Sequence, residues 1–217
     1  MILNNKTKRL LIYFVGLFIL ALGLTLNTKA SLGVSPIISV PYSISQITGL
    51  NFGDLTFIEY ALFVFVEIMI HLSEKNKKKI VADLLQLPLS LVFTRLLNIF
   101  SACIPTSSFF LVQLLILVLA IICTGIGAAM SLSMQLVPNP GDGIVQALAG
   151  KFNKSVGLTK NMFDCLSVCI TLCISLIFAH TILGIGIGTV IAVLGVGRVI
   201  ALFHHMFESQ IIELVQG

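Results

Sequence analysis

Charged side chains are scarce in this sequence. Asp, Glu, Lys and Arg make up 10% of the 217 residues, whereas a soluble globular domain carries roughly 25%. This scarcity excludes an ordinary soluble domain, and the lack of short alternating segments excludes a transmembrane β-barrel.

The five cysteines show no CxxC spacing, so neither a zinc site nor a disulfide framework is indicated. The sequence also lacks HExxH and any nucleophile–base constellation, so we expect no enzyme, no catalytic residue and no cofactor.

Long apolar runs take the place of charge. Six of them are about 20 residues long, enough for a helix to cross a hydrocarbon core of roughly 30 Å. They lie at about 10–28, 54–73, 81–104, 109–136, 159–181 and 184–206. No small-residue cleavage site follows the first run, so we interpret it as a membrane helix and not a signal peptide. We therefore predict an all-α, polytopic transmembrane helical bundle that forms one integral domain, residues 1–217, in the lipid bilayer.

Two connections contain apolar segments too short to cross the membrane. They read "SPIISVPYSISQIT" and "NPGDGIVQALAGKF", and their apolar parts begin at Pro36 and Pro140. Proline suits the first turn of a helix, and apolar segments of about 12 residues are typical of re-entrant or interfacial structure. The sequence therefore predicts two Pro-started re-entrant half-helices.

The basic residues indicate an orientation. If neither half-helix crosses, ten basic residues share one side of the membrane, Lys29 lies on the other, and Arg95 and Arg198 lie within spans. The ten are Lys6, Lys8, Arg9, Lys75, Lys77, Lys78, Lys79, Lys151, Lys154 and Lys160. This bias predicts six crossings with both termini in the cytoplasm. The net charge of +4 is modest, so we expect no nucleic-acid partner.

Landmark residues recur at a shift of about 104 positions. The pairs are Gly23 with Gly127, Pro36 with Pro140, Gly53 with Gly157 and, at a shift of 103, Arg95 with Arg198. They predict two repeats, at about 10–104 and 109–206. Three crossings per repeat make the second repeat upside down, giving an inverted 3+3 repeat. Many secondary transporters have such repeats and bind substrate where their discontinuous helices meet.

The starts of the half-helices are candidate substrate- or ion-binding sites, because a helix N-terminus presents unpaired N–H groups and a positive dipole end. The second start offers Asn139, Pro140, Gly141, Asp142 and Gly143 for a cation, a proton or a polar substrate. Alternatively, Asp142 only caps its own helix. The first start offers Ser35, Pro36 and Ser39 and has no acid, so it suits an anionic group better.

Ionisable side chains inside spans need a partner or a cavity. Similar depths predict two acid–arginine pairs, Glu59 with Arg95 and Asp164 with Arg198. Each pair is either a structural salt bridge or a gate. Glu67 has no obvious partner at its depth.

Two further residue types have structural interpretations. The histidines lie at or beyond span ends and are interpreted as interfacial. Cys165, Cys169 and Cys173 are four residues apart, so they share one helix face. This spacing favours close helix packing, with a soft-metal site as the alternative, and we predict no metal centre.

Three segments carry a resemblance to a known family. "SLGVSPIISVPYSIS", "PNPGDGIVQALA" and "IGIGTVIAVLGVGRVIALF" together resemble the YczE/YyaS/YitT family of bacterial integral membrane proteins, over about Gly16 to Phe203. The resemblance implies a multi-pass protein of the bacterial cytoplasmic membrane. It supplies no catalytic residues.

Two functions fit these observations. The first is a small secondary transporter or permease for a small polar or anionic solute, with a homodimer as one way for a short chain to build a full pathway. The alternative is a membrane accessory or scaffold protein that transports nothing. The repeat and Asp142 favour transport, whereas the lack of a clear binding cluster favours the scaffold.

Overall fold

A computed structural model of the chain describes residues 5–216, except for the side chains at positions 208, 212 and 214–216. This part of the chain is all-α, with no strand. Its elements are α1 (Asn5–Lys29), a 3-10 turn (Pro36–Ile38), α2 (Ser39–Thr48), α3 (Phe52–Ser73), α4 (Lys77–Cys103), α5 (Phe110–Ser133), α6 (Pro140–Phe152), α7 (Val156–Ala179) and α8 (Ile187–Gln216).

Six of these helices are long and apolar enough to cross a membrane. They are α1, α3, α4, α5, α7 and the Ile187–Phe207 part of α8. The prediction of an all-α bundle with six spans is therefore confirmed. The bounds differ most at α8, which ends at Gln216 and not near residue 206, and at α1, which begins at Asn5 and not near residue 10; α4 begins at Lys77 and not near residue 81. Helix α4 includes the lysines that precede its apolar run, because a helix can extend beyond the residues that are apolar enough to lie in a membrane.

Short helices also occur where the half-helices were predicted. The first begins as the 3-10 turn at Pro36 and continues as α2. The residue after α2, Gly49, caps it in the left-handed conformation. The second is α6, which has Pro140 in its first turn and Asn139 as its N-cap. Proline fits both starts because its missing N–H would be unpaired in a first helical turn anyway.

One compact unit of the fold contains α1, α5 and α8. Glycines bring α1 and α5 into close contact: a Cβ atom on Gly16 would lie 2.8 Å from the Ser131 nitrogen, and one on Gly23 would lie 2.5 Å from Thr124 Oγ1. Small residues at such positions let membrane helices approach closely. The close contacts of this unit are between its own helices, and none of the predicted half-helix residues belongs to it.

The second unit contains the 3-10 turn, α2, α3, α4 as far as Asn98, α6 and α7. Within it, α2 packs against α7 and α6 packs against α3. Each half-helix thus packs against a long helix from the other half of the sequence. This reciprocal packing agrees with the predicted order of the repeats, while their inversion across a membrane stays a prediction. All residues of the candidate site lie in this second unit.

Candidate functional site

The starts of the two half-helices meet in the second unit. A Cβ atom on Gly141 would lie 2.8 Å from Ile37 Cγ1, so the side chain of the first start rests on the backbone of the second. Pro36, Pro140 and Gly141 are all buried there. The absence of a side chain at Gly141 allows this approach. The fold therefore brings together the two segments that the sequence marked separately.

Ser39 joins the first half-helix to α7. Its hydroxyl lies 2.7 Å from Thr171 Oγ1 and donates to the Pro36 carbonyl. Both side chains are fully buried, and a buried hydroxyl needs such partners. In this structure Ser39 therefore holds α2 against α7.

Asn139 organises the start of α6. Its side-chain oxygen accepts a hydrogen bond from the Gly141 N–H at 3.1 Å. Its backbone carbonyl accepts from the N–H groups of Asp142 and Gly143, both at 2.8 Å. The expectation that the N–H groups near Gly141 and Gly143 are free for a ligand is therefore wrong. The N-cap uses them, as Asn caps commonly do.

Asp142 contributes the charge of the second start. Its side chain is partly buried and makes no hydrogen bond with the described residues. Burial raises the pKa of Asp142, while nearby Lys160 acts to lower it and nearby Asp164 acts to raise it. Lys160 Nζ itself lies 3.5 Å from Asp164 Oδ1. Two carboxyl groups thus share one ammonium group, and the cluster can accept a further positive charge or a proton.

Tyr60, on α3, lies beside this cluster. This residue was not identified from the sequence. It is 1% exposed, stacks on Phe93 at 6.2 Å between ring centroids, and lies near the Asn139 side chain. The carboxyl groups of Glu59 and Asp142 are near enough to interact electrostatically with the Tyr60 hydroxyl. A buried hydroxyl among apolar neighbours was not distinguishable in the sequence from an ordinary core tyrosine.

The predicted acid–arginine pairs are wrong. Arg95 Nη2 lies 2.6 Å from Asp54 Oδ1, and not beside Glu59. Five residues separate the two acids, which turns the helix by about 140° and points them in different directions. On α7, Asp164 pairs with Lys160 one turn earlier, since residues four apart share a helix face. Arg198 is exposed and forms no ion pair with the described residues.

A second polar cluster lies next to the α6 start. Gln86 Nε2 donates to Glu67 Oε2 at 2.7 Å, and His71 Nδ1 lies 2.7 Å from Asp83 Oδ2. All four side chains are buried, so His71 lies at the end of its span as predicted but bonds to Asp83 and does not extend into solvent. The spacings offered a signal: Glu67 and His71 are four apart and Asp83 and Gln86 three apart, so each pair shares a helix face.

The cysteine face of α7 does not pack within the chain. Cys165, Cys169 and Cys173 are all exposed, so the expected close packing at these residues is wrong for the contacts that the described chain makes. Apolar neighbours such as Leu166 and Ile170 are exposed on the same helix. An apolar exposed face is what a membrane-spanning helix presents to lipid.

Six helices long and apolar enough to span a membrane, together with two Pro-started half-helices whose starts meet, define a multi-pass integral membrane protein. The chain belongs to a family of unknown function, DUF6198, whose model matches residues 7–205. It is 27% identical over 192 residues to a protein of Bacillus subtilis (strain 168) described as "Uncharacterized membrane protein YczE", and the match covers 87% of this chain and 81% of that relative. No solved structure matches the chain. The predicted resemblance to YczE-type membrane proteins is confirmed.

Proposed function

We propose that this protein is a small secondary transporter, a permease-like carrier for a small polar solute, and not an enzyme. We place it in the bacterial cytoplasmic membrane with both termini in the cytoplasm, as the bias of the basic residues favours. The observation that carries the proposal is the meeting of the two half-helix starts beside an acidic cluster. Transporters with repeated halves commonly bind substrate at such a meeting point.

The chemistry of the cluster favours one class of solute. The N–H groups at the α6 start already donate to Asn139, so they are not available to a negatively charged group. Among the residues that the structure describes, Lys160 is the one cation beside both Asp142 and Asp164. A polar solute with a cationic or hydrogen-bond-donating group therefore suits this place better than an anion.

Thermal unfolding of the purified protein tests the proposal. The probes are amino acids, primary amines, small polyols, inorganic phosphate, carboxylates and monovalent cations. A ligand that binds only the folded state stabilises it by about 2.7 kcal/mol at a hundredfold excess over its dissociation constant. We expect a stabilising solute from the amine-bearing or polyol classes, and we expect Asp142→Asn to abolish its effect.

Asp54→Asn is the matched control, because it makes the same chemical change at the half-exposed Arg95 pair. It should keep the ligand-induced stabilisation. A ligand whose effect is the same in Asp142→Asn and Asp54→Asn would contradict the site. If no probe stabilises the protein, and Asp142→Asn is as stable as the parent, the scaffold alternative replaces the transporter.

A further inference from the structure

Glu67 stands at the junction between the second polar cluster and the half-helix α6. It is 1% exposed and approaches three groups: Gln86 at 2.7 Å, the Asp83 side chain, and the backbone of Gly143. A Cβ atom on Gly143 would lie 2.7 Å from Glu67 Oε2 and 2.9 Å from Oε1. The carboxyl group is therefore pressed between α4 and the first turn of α6.

The hydrogen bonds of this cluster are incomplete if both acids are ionised. Glu67 Oε1 is buried and accepts no hydrogen bond from the described residues. The Asp83 side chain nevertheless lies close to Glu67, and two ionised carboxylates cannot hydrogen-bond to each other because neither has a donor. One proton on Glu67 resolves both facts, since its O–H group can donate to Asp83. Asp83 keeps its other oxygen on His71.

The surroundings leave few other charges to hold an ionised Glu67. Asp83 on α4 and His71 on α3 are the ionisable groups of the cluster itself. From α6, Gly143 presents only backbone, while Asp142 interacts with charges on α7. The only ionisable side chain on α2 is Tyr42, which packs on Phe52. Ionisation of Glu67 therefore places two carboxylates side by side in a buried site, with the positive end of the α6 dipole as compensation.

We propose that Glu67 is a proton-binding site, which it shares with Asp83, and that its proton occupancy controls how tightly the start of α6 is held. A proton from the aqueous phase adds to the Glu67 carboxylate, the charge of the cluster rises by one, and no other bond changes. His71, which bonds to Asp83, lies at the end of α3 next to the exposed residues Glu74 and Lys75. The link to solute movement rests on the proposed transport function, because α6 carries Asn139 and Asp142. In that setting the coupling ion is a proton.

Infrared difference spectroscopy of the purified full-length protein between acidic and alkaline pH tests the proton site without any solute. A buried protonated carboxyl group gives a carboxylic-acid carbonyl band. We expect Glu67→Gln to lose this band and the matched control Glu74→Gln to keep it, because Glu74 lies at the helix end beside Lys79. Asp83→Asn should retain the band and shift its frequency, because the acceptor changes from a carboxylate to an amide.

Unchanged carbonyl bands in Glu67→Gln would overturn the proposal. If that variant does not fold, an unshifted band in folded Asp83→Asn would overturn it equally. These results do not depend on solute binding, so the proton site and the transport function can fail separately.

Hydrogen–deuterium exchange at the backbone N–H groups of residues 141–144 tests the link to α6. After correction for intrinsic exchange, the parent and Glu74→Gln should show protection that rises with pH, because an ionised Glu67 attracts the positive helix end. Glu67→Gln should show no such rise. An identical pH response in Glu67→Gln and the parent would overturn the link.

Discussion

Gly143→Ala is the substitution that probes the contact between α6 and the buried acid most directly. The added methyl carbon would lie 2.7 and 2.9 Å from the two Glu67 oxygens and 3.0 Å from Gln86 Nε2. These distances are shorter than carbon contacts allow, so the ends of the two side chains must shift. Both residues are buried, so we expect this shift to lengthen or break the 2.7 Å hydrogen bond between Glu67 and Gln86. A buried polar group left without its partner costs about 1–3 kcal/mol.

The same substitution also improves helix propensity, and a control is needed to separate the two effects. Alanine is favoured over glycine in a helix interior by about 1 kcal/mol. Gly150 lies in the same helix, and a Cβ atom there would meet nothing within 4 Å. We therefore expect Gly150→Ala to leave stability unchanged or raise it by up to about 1 kcal/mol. Gly143→Ala should then be less stable than Gly150→Ala by about 1–3 kcal/mol.

Equilibrium unfolding in mixed detergent micelles, followed by circular dichroism, measures both variants under the same conditions. The difference between the two free energies of unfolding is the quantity of interest, because the propensity term largely cancels. Equal stabilities would refute the reasoning, since they would mean that the Glu67 carboxyl group does not rest on the α6 backbone.

Two further predictions concern the ion pair on α3 and the packing of the first unit. A double-mutant cycle with Arg95→Gln should give a coupling energy of about 0.2–1 kcal/mol with Asp54→Asn and none with Glu59→Gln; a larger coupling with Glu59 would restore the pairing that depth alone suggested. In the first unit, Gly127→Ala should cost about 1–3 kcal/mol, because a Cβ atom there meets α1 backbone. The control Gly197→Ala, with nothing within 4 Å, should leave stability unchanged or raise it by up to about 1 kcal/mol, and similar losses in both glycine variants would contradict the close packing.

The fold was largely predictable because its strongest constraint, the length of each apolar run, can be read directly along the sequence. The length of an apolar run decides whether a helix can cross the membrane, and all six runs became long helices. The short helices were also predictable, since Pro36 and Pro140 mark helix starts in segments too short to cross. The grouping into two units was not predictable, because α4 and α8 occupy matching places in the repeats and yet belong mainly to different units.

The candidate site was only partly predictable because it depends on helix rotation and on local capping. Depth along the helix predicted that Arg95 lies near Glu59. The direction in which each acid points around α3 instead places Asp54 beside Arg95. Composition correctly marked the α6 start as unusual, but could not reveal that Asn139 would use its N–H groups. The partner of Glu67 could not be predicted from charge, because Gln86, which donates a hydrogen bond to it, is uncharged.

Solute flux into liposomes that contain only this protein tests the central claim most directly. The solutes are radiolabelled members of the classes that stabilise the protein on heating, and the compared proteins are the parent, Asp142→Asn and Asp54→Asn. The account predicts saturable uptake by the parent and Asp54→Asn and none by Asp142→Asn. Binding without flux in the parent, or equal flux in all three proteins, would contradict a carrier whose solute site lies where the two half-helices meet.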